Sequence, residues 1–289
     1  MTQRVRNENR SVTVLVFTIV VWAGSFGAGF LGALTGLGGG VVLVPLLTLV
    51  FGVDIRYAIG ASLVSVIATS SGAAAAYVKE GFSNIRIGMF LEMATTLGAL
   101  VGAALAAKIS TGAIAIVFGI VLIYSAYLSG RPQADKSIAA SPDSLATIFR
   151  MDTSYPGPEG PVHYSVRAIP GGFSLMFVAG VLSGLLGIGS GAVKVLAMDQ
   201  VMRIPFKVST ATSNFMIGVT AAASAGLYLN RGYIDPGLAM PVMLGVLAGS
   251  LVGARLLPGA KIRPLRIIFA IVVFILGIEM IYNGFTGRI

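Results

Sequence analysis

Two short stretches raise the question of chemistry: GLGGG at 36–40 and GIGSG at 187–191, each running straight into an apolar segment. Glycine inside a helix costs about 1 kcal/mol relative to alanine, so either cluster interrupts a helix. A helix that restarts after such a break presents free N–H groups and the positive end of its dipole, which together attract an anion. Glycine also lets a ligand approach the backbone closely. The candidate ligands are therefore Gly38, Gly39 and Gly40 in the first cluster and Gly189, Ser190 and Gly191 in the second. No GK[ST] follows either cluster, which argues against a nucleotide-phosphate loop and against ATP-driven work within this chain.

Lys194 lies three residues past Gly191, in the first turn of the restarting helix. A lysine at a bilayer centre costs at least ~2.5 kcal/mol on insertion scales. It needs an anionic substrate, a carboxylate partner such as Asp199, or a route for its stem to snorkel to the interface. Downstream, KVSTATSNFMIGVTAAASA (207–225) offers uncharged hydroxyl and amide groups, as does IGASLVSVIATSS (59–71). Such groups suit an oxyanion that must bind and then leave, although hydrogen bonding between helices accounts for part of them. Ser62, Ser213 and Asn214 are the side chains assigned here to substrate. Glu92 and Glu279 fall within expected helices, where a carboxylate is a candidate for proton coupling. Glu92 is the deeper and takes that role; Glu279 is close to a helix end. The single histidine, His163, lies in a polar stretch and reads as solvated. No Ser/His/Asp, HExxH or paired-carboxylate arrangement is present, so the residues give no basis for an enzyme, a cofactor or a metal. The absence of cysteine removes disulfides and thiolate-bound metals.

The elements that must position these residues are membrane helices. Of 289 residues, 56% are hydrophobic and 11% charged, against roughly 25% charged in soluble domains. The mean hydropathy is +0.90. Uncharged runs at Ser11–Ala33, Ala58–Val78, Gly112–Gly130 and Val208–Asn230 have the length, about 20 residues, that spans a hydrocarbon core. The net charge of +9 sits mainly at the ends of apolar segments, as topology signals and headgroup contacts require, and calls for no nucleic acid. The basic start MTQRVRNENR leads into a segment repeated later, so it does not read as a cleaved signal.

Residues 29–128 align without a gap on residues 180–279, at a constant offset of 151. GFLGALTGLGGGVVLV lies over GVLSGLLGIGSGAVKV; Ser62 falls on Ser213, Thr69 on Thr220, Tyr77 on Tyr228. The expected organisation is a membrane repeat at 12–129, an extramembrane linker at 130–170 and a second membrane repeat at 171–284, all-α, with about eight to ten membrane segments. In each half the helix after the break has about eleven residues, roughly 16 Å at 1.5 Å per residue, too short to cross. If all five segments cross, the halves are inverted; if break and short helix form one crossing, they are parallel. GALVG (98–102) and GSLVG (249–253) read as tight helix packing.

GLGGGVVLVPLL, together with GLLGIGSGAVKVLAMDQVMRIPFKVSTATSNFMIGV, resembles the TauE/SafE sulfite exporter family over residues about 24–284. The chain departs from the repeated pattern at Ser190 and at Leu196, which stands where the first half has Pro45. The resemblance implies a multi-pass inner-membrane protein that moves sulfite, sulfonates or related organosulfur anions, in the export direction. With two Gly-broken helices in duplicate, the expected function is a secondary transporter of small anions working by alternating access, in the lipid bilayer and with room for homo-oligomers. A passive anion channel and a non-transporting assembly subunit are the alternatives.

Overall fold

The computed structural model describes residues 2–35, 39–79, 81–129, 151, 153–157, 160–256 and 262–289. Gly38 lies outside the described residues. Helix α1 (Thr2–Thr35) precedes the first break, and the short α2 (Gly40–Pro45) follows it and widens into a π turn (Leu46–Val50). Then come α3 (Ile55–Lys79), α4 (Ile85–Ala106) and α5 (Thr111–Ser129). After strands β1 (Thr153–Gly157) and β2 (Gly160–Tyr164), the pattern recurs: α6 (Ile169–Leu186), α7 (Gly191–Leu196) with a π turn (Ala197–Val201), α8 (Phe206–Asn230), α9 (Pro236–Leu256) and α10 (Ile262–Thr286). Each element from the break onward starts 151 residues after its counterpart: Gly40 and Gly191, Ile55 and Phe206, Ile85 and Pro236, Thr111 and Ile262.

Among the described residues, four helical stretches are long and apolar enough to cross a membrane: Val14–Ala33, Ile85–Ala106, Ile169–Leu186 and Pro236–Gly253. Shorter apolar helices, including Gly40–Val50 and Ile55–Ser71, stand beside them. On α4, Leu91, Ala94 and Ala99 are buried while Met89, Met93 and Leu97 are exposed. An apolar outer face of this kind belongs against lipid tails.

Pairing between the halves follows one rule. Helix α1 packs along α9 and α4 along α6, an equivalent pair of contacts, whereas α3 packs on its own counterpart α8 and α5 on its counterpart α10. Small residues make the close approaches. A Cβ on Gly98 or Gly102 would strike the Phe177 or Val181 carbonyl, and one on Gly249 or Gly253 the carbonyls of Phe26 and Phe30. GALVG and GSLVG are packing surfaces, as expected. A Cβ on Gly112 would lie 2.7 Å from the Gly284 carbonyl, and one on Gly119 would lie 2.5 Å from that of Gly277, so α5 and α10 run antiparallel. Helix α3 runs antiparallel to α8 in the same way, with Gly60 at Tyr233 and Ser70 at Gly218. A rotation superposing these equivalent helices must therefore reverse their direction.

The π turns after the short helices have a local cause only in part. Pro45 lacks an N–H and so opens the ladder of α2. Leu196 has one, yet the second π turn forms, with the Met202 N–H donating to the Ala197 carbonyl at 3.1 Å. Such turns are frequent near functional sites.

The described part of the connecting segment is an antiparallel hairpin, pairing Thr153 with Tyr164 and Gly157 with Gly160. It seats on the start of α4: Asn84 donates through Nδ2 to the Met151 carbonyl at 3.0 Å and to the Tyr164 hydroxyl at 2.8 Å. Met151, Tyr164 and Val166 are buried there with Ile87, Leu91 and Val208. His163 is exposed on β2.

Candidate functional site

The second break holds three left-handed residues. Gly187 (φ 68°) ends α6, its N–H donating to the Ser183 carbonyl at 2.8 Å, and Gly189 (φ 71°) and Ser190 (φ 45°) follow. In the first break the residue equivalent to Ser190, Gly39, is right-handed at φ −67°. The two breaks come together across the halves. The Ser62 hydroxyl, on α3, donates to the Gly187 carbonyl at 2.8 Å. A Cβ on Gly40 would lie 3.0 Å from that hydroxyl oxygen and 3.4 Å from the same carbonyl. Ser213, the counterpart of Ser62, donates to the Gly191 carbonyl over a longer 3.4 Å. Two further equivalent residues close over the second break: a Cβ on Gly189 would lie 3.2 Å from Val66 and 2.9 Å from Ile217, and one on Gly191 2.7 Å from Ile217. Asn214 gives its amide to the Thr210 carbonyl of its own helix at 3.0 Å.

Lys194 neither snorkels nor meets Asp199, which is a correction to two of the alternatives above. It is 0% exposed, and Asp199 accepts from its neighbour Gln200. A helical side chain leans toward its own N-terminus, and Lys194 reaches α8, where Nζ donates to the Thr220 hydroxyl at 2.5 Å. Beyond it lies Glu92 on α4, with Oε2 4.0 Å from Nζ. Glu92 is held by three hydroxyls: Thr220 on Oε1 at 2.7 Å, Thr96 on Oε1 at 3.0 Å and Thr95 on Oε2 at 2.9 Å. Glu92, Lys194, Thr95 and Thr220 are all buried.

Magnitudes bear on what this pair is for. Two opposite charges 4 Å apart attract by about 4 kcal/mol at an effective dielectric of about 20. Removing each ion from water costs several kcal/mol. The attraction does not exceed the desolvation, so the pair contributes no clear net stability to the fold. An ionisable pair kept inside a membrane protein at that cost points to a working site.

The structure thus gathers Gly40, Ser62, Gly189, Gly191 and Ser213 at the breaks and joins Lys194 to Glu92 through Thr220. It leaves Asn214 on its own helix. Thr95, Thr96 and Thr220 were not assigned from the sequence. The first two had a local signal, because residues three and four past Glu92 share its helix face.

A family model described as Sulfite exporter TauE/SafE matches residues 21–280 of this chain. The chain belongs to the TauE/SafE family. Membership spans both breaks, Glu92 and Lys194. Among its relatives, Probable membrane transporter protein YunE of Bacillus subtilis (strain 168) is 29% identical over 275 residues, covering 93% of this chain and 98% of that one. Probable membrane transporter protein YdhB of the same organism is 27% identical over 228 residues, 78% of this chain and 83% of the relative. Probable membrane transporter protein MJ0441 of Methanocaldococcus jannaschii is 23% identical over 283 residues, 93% and 96% of the two chains. No solved structure matches the chain. As a TauE/SafE protein with several apolar helices, it is a multi-pass membrane protein and a membrane transporter.

Proposed function

We propose that the chain is a secondary transporter of small sulfur oxyanions, sulfite and organosulfonates, working as an exporter in the inner membrane by alternating access. The observation that carries this reading is the meeting of two equivalent Gly-rich breaks beside a buried lysine. Broken helices at corresponding positions of two halves are the usual mark of a transporter's binding site, and irregular backbone at membrane depth is tolerated where it lines such a site. Residues 12–129 and 171–284 act as the two repeats and 130–170 as the extramembrane connection. The antiparallel run of α3 on α8 and α5 on α10 supports an inverted relation between the repeats. Rocking one half against the other then exposes the breaks to each side in turn. Gly39, Gly40, Gly189, Ser190 and Gly191 line the anion's path, with Ser62, Ser213 and Asn214 offering polar side chains, Lys194 the charge and Glu92 the proton-coupling group.

Purified protein in proteoliposomes tests the reading by uptake of labelled sulfite and methanesulfonate. Saturable uptake accelerated by anion on the opposite side is the expected result. Saturable counterflow separates a carrier from a channel, and absence of flux for every sulfur anion removes the substrate class.

A further inference from the structure

The charged cluster is built at one of two equivalent positions only. At the offset of 151, Lys194 corresponds to Leu43, Glu92 to Met243, and Thr95 and Thr96 to Val246 and Leu247; Thr220 corresponds to Thr69. Ser190 stands where the other half has Gly39. The Ser190 hydroxyl is buried, its residue 2% exposed, and among the described residues it has no hydrogen-bond partner. A buried donor without an acceptor normally costs free energy. Its residue lies one helical turn before Lys194, whose backbone N–H donates to the Ser190 carbonyl at 3.0 Å, so the hydroxyl is a donor open to an oxyanion held by that lysine.

Among the described residues Lys194 and Glu92 are the only charged side chains buried in the bundle. The other ionisable groups on the elements packed around Glu92 lie toward helix ends: Arg86 at the start of α4, Lys207 and Tyr228 at the two ends of α8, and Asp199 in the π turn after α7, while α6 carries none. Lys194 and Glu92 together are neutral. An added monoanion would leave one uncompensated buried charge, which low-dielectric surroundings oppose strongly. A proton on Glu92 restores neutrality.

Resting on the transporter reading above, we infer that Glu92 is a tethered stand-in for the substrate. Without substrate, its carboxylate neutralises Lys194. A monoanionic oxyanion takes over Lys194 and the Ser190 hydroxyl only when a proton from the same side sits on a Glu92 carboxylate oxygen. Both leave on the opposite side. The carrier moves one proton with each single negative charge and is neutral both empty and loaded, so membrane potential does not drive it. One cation also suits a monoanion, a sulfonate or hydrogensulfite, better than a dianion such as sulfate.

Proteoliposomes containing a pH dye test this with methanesulfonate, which stays monoanionic. The wild-type protein should acidify the lumen by one proton per anion taken up, with a rate unchanged by an imposed potassium–valinomycin potential. Potential-driven uptake without acidification would overturn the inference while leaving the transporter reading intact; no uptake of methanesulfonate or of sulfite would remove the sulfur-anion substrate class and the inference with it. Glu92→Gln should lose the acidification and make any remaining flux potential-dependent, and a variant that still acidifies the lumen counts against Glu92. Ser190→Gly, the residue of the other half, should raise the methanesulfonate KM about tenfold, the effect expected for a lost hydrogen bond to a charged group. An unchanged KM takes Ser190 out of the site. If a variant fails to fold, the wild-type charge count still decides the coupling.

Discussion

Two corners of the bundle share a scaffold and differ in chemistry. In one, Thr220 bridges Lys194 to Glu92. At the equivalent place in the other half, Thr69 bonds its own helix at the Ser65 carbonyl, 3.0 Å away, as Thr220 also does at the Met216 carbonyl at 2.9 Å, but the residues corresponding to the charges are Leu43 and Met243. The breaks differ in step: Ser190 is left-handed where Gly39 is right-handed. Several features that fix helix position are duplicated: the Gly98 and Gly249 contacts, the π turns and the pair Val66 and Ile217. The buried charged pair, Lys194 and Glu92, occurs once. Duplication supplies two similar half-helices, and a few substitutions in one of them supply the charge, so the halves need not contribute equally to binding.

The largest test rebuilds the charged corner as the apolar one. Lys194→Leu alone leaves Glu92 buried without its counter-charge and should cost about 3–5 kcal/mol of stability, read as a fall in unfolding temperature in detergent, with flux abolished. Adding Glu92→Met should bring stability back to within about 1 kcal/mol of wild type while flux stays absent. A double variant no more stable than the single one would show that the pair holds the fold together, and the contrast between structural and chemical duplication would break.

The scaffold itself should respond equally in both halves. Gly98→Ala and its counterpart Gly249→Ala each drive a methyl into a carbonyl of the facing helix. Each should cost about 1–3 kcal/mol by overpacking, and the two values should agree within about 1 kcal/mol in thermal unfolding. Gly226→Ala, which meets nothing within 4 Å, serves as the tolerant control and should match wild type or exceed it by up to about 1 kcal/mol.

Smaller effects should separate Thr220 from Thr69. Thr220→Val removes the hydroxyl between two buried charges, and should cost about 1–3 kcal/mol together with most of the flux. Thr69→Val removes only a bond to its own helix and should stay within about 0.5 kcal/mol, the range of substitutions away from special features. Equal losses would mean that Thr69 faces a polar partner in another conformation.

Much of the scaffold was legible in the sequence because membrane helices follow from local composition. Apolar runs, glycine breaks and the repeat gave element positions close to those found; the uncharged run Val208–Asn230 lies within α8, Phe206–Asn230. The hairpin was hidden by its prolines, since Pro156 and Pro161 face each other across the pair and proline is a poor strand signal. The site was half legible. A lysine in an apolar segment stands out by itself. Its partner does not, because Glu92 is brought to it by the packing of α4 on α8, and the carboxylate nearest in sequence, Asp199, stood only as one example among several alternatives. Ser190 read as a glycine-cluster variant; only burial shows that its hydroxyl has no partner.

The smallest expected contrast lies at the breaks. Ser62 and Ser213 are equivalent residues, both buried, yet Ser62 bonds the opposite half at 2.8 Å while Ser213 reaches its own half's Gly191 at 3.4 Å. Hydrogen bonds weaken as they lengthen. Ser62→Ala, which leaves the Gly187 carbonyl short of a donor, should cost about 1 kcal/mol, near the mean for a buried hydrogen bond; Ser213→Ala should cost about half that or less. Their effects on transport should run the other way if the Ser213 hydroxyl, weakly engaged in this state, turns to the anion when substrate binds. A rise in KM for Ser213→Ala larger than for Ser62→Ala would place the anion nearer the second break, on the side that carries the charge.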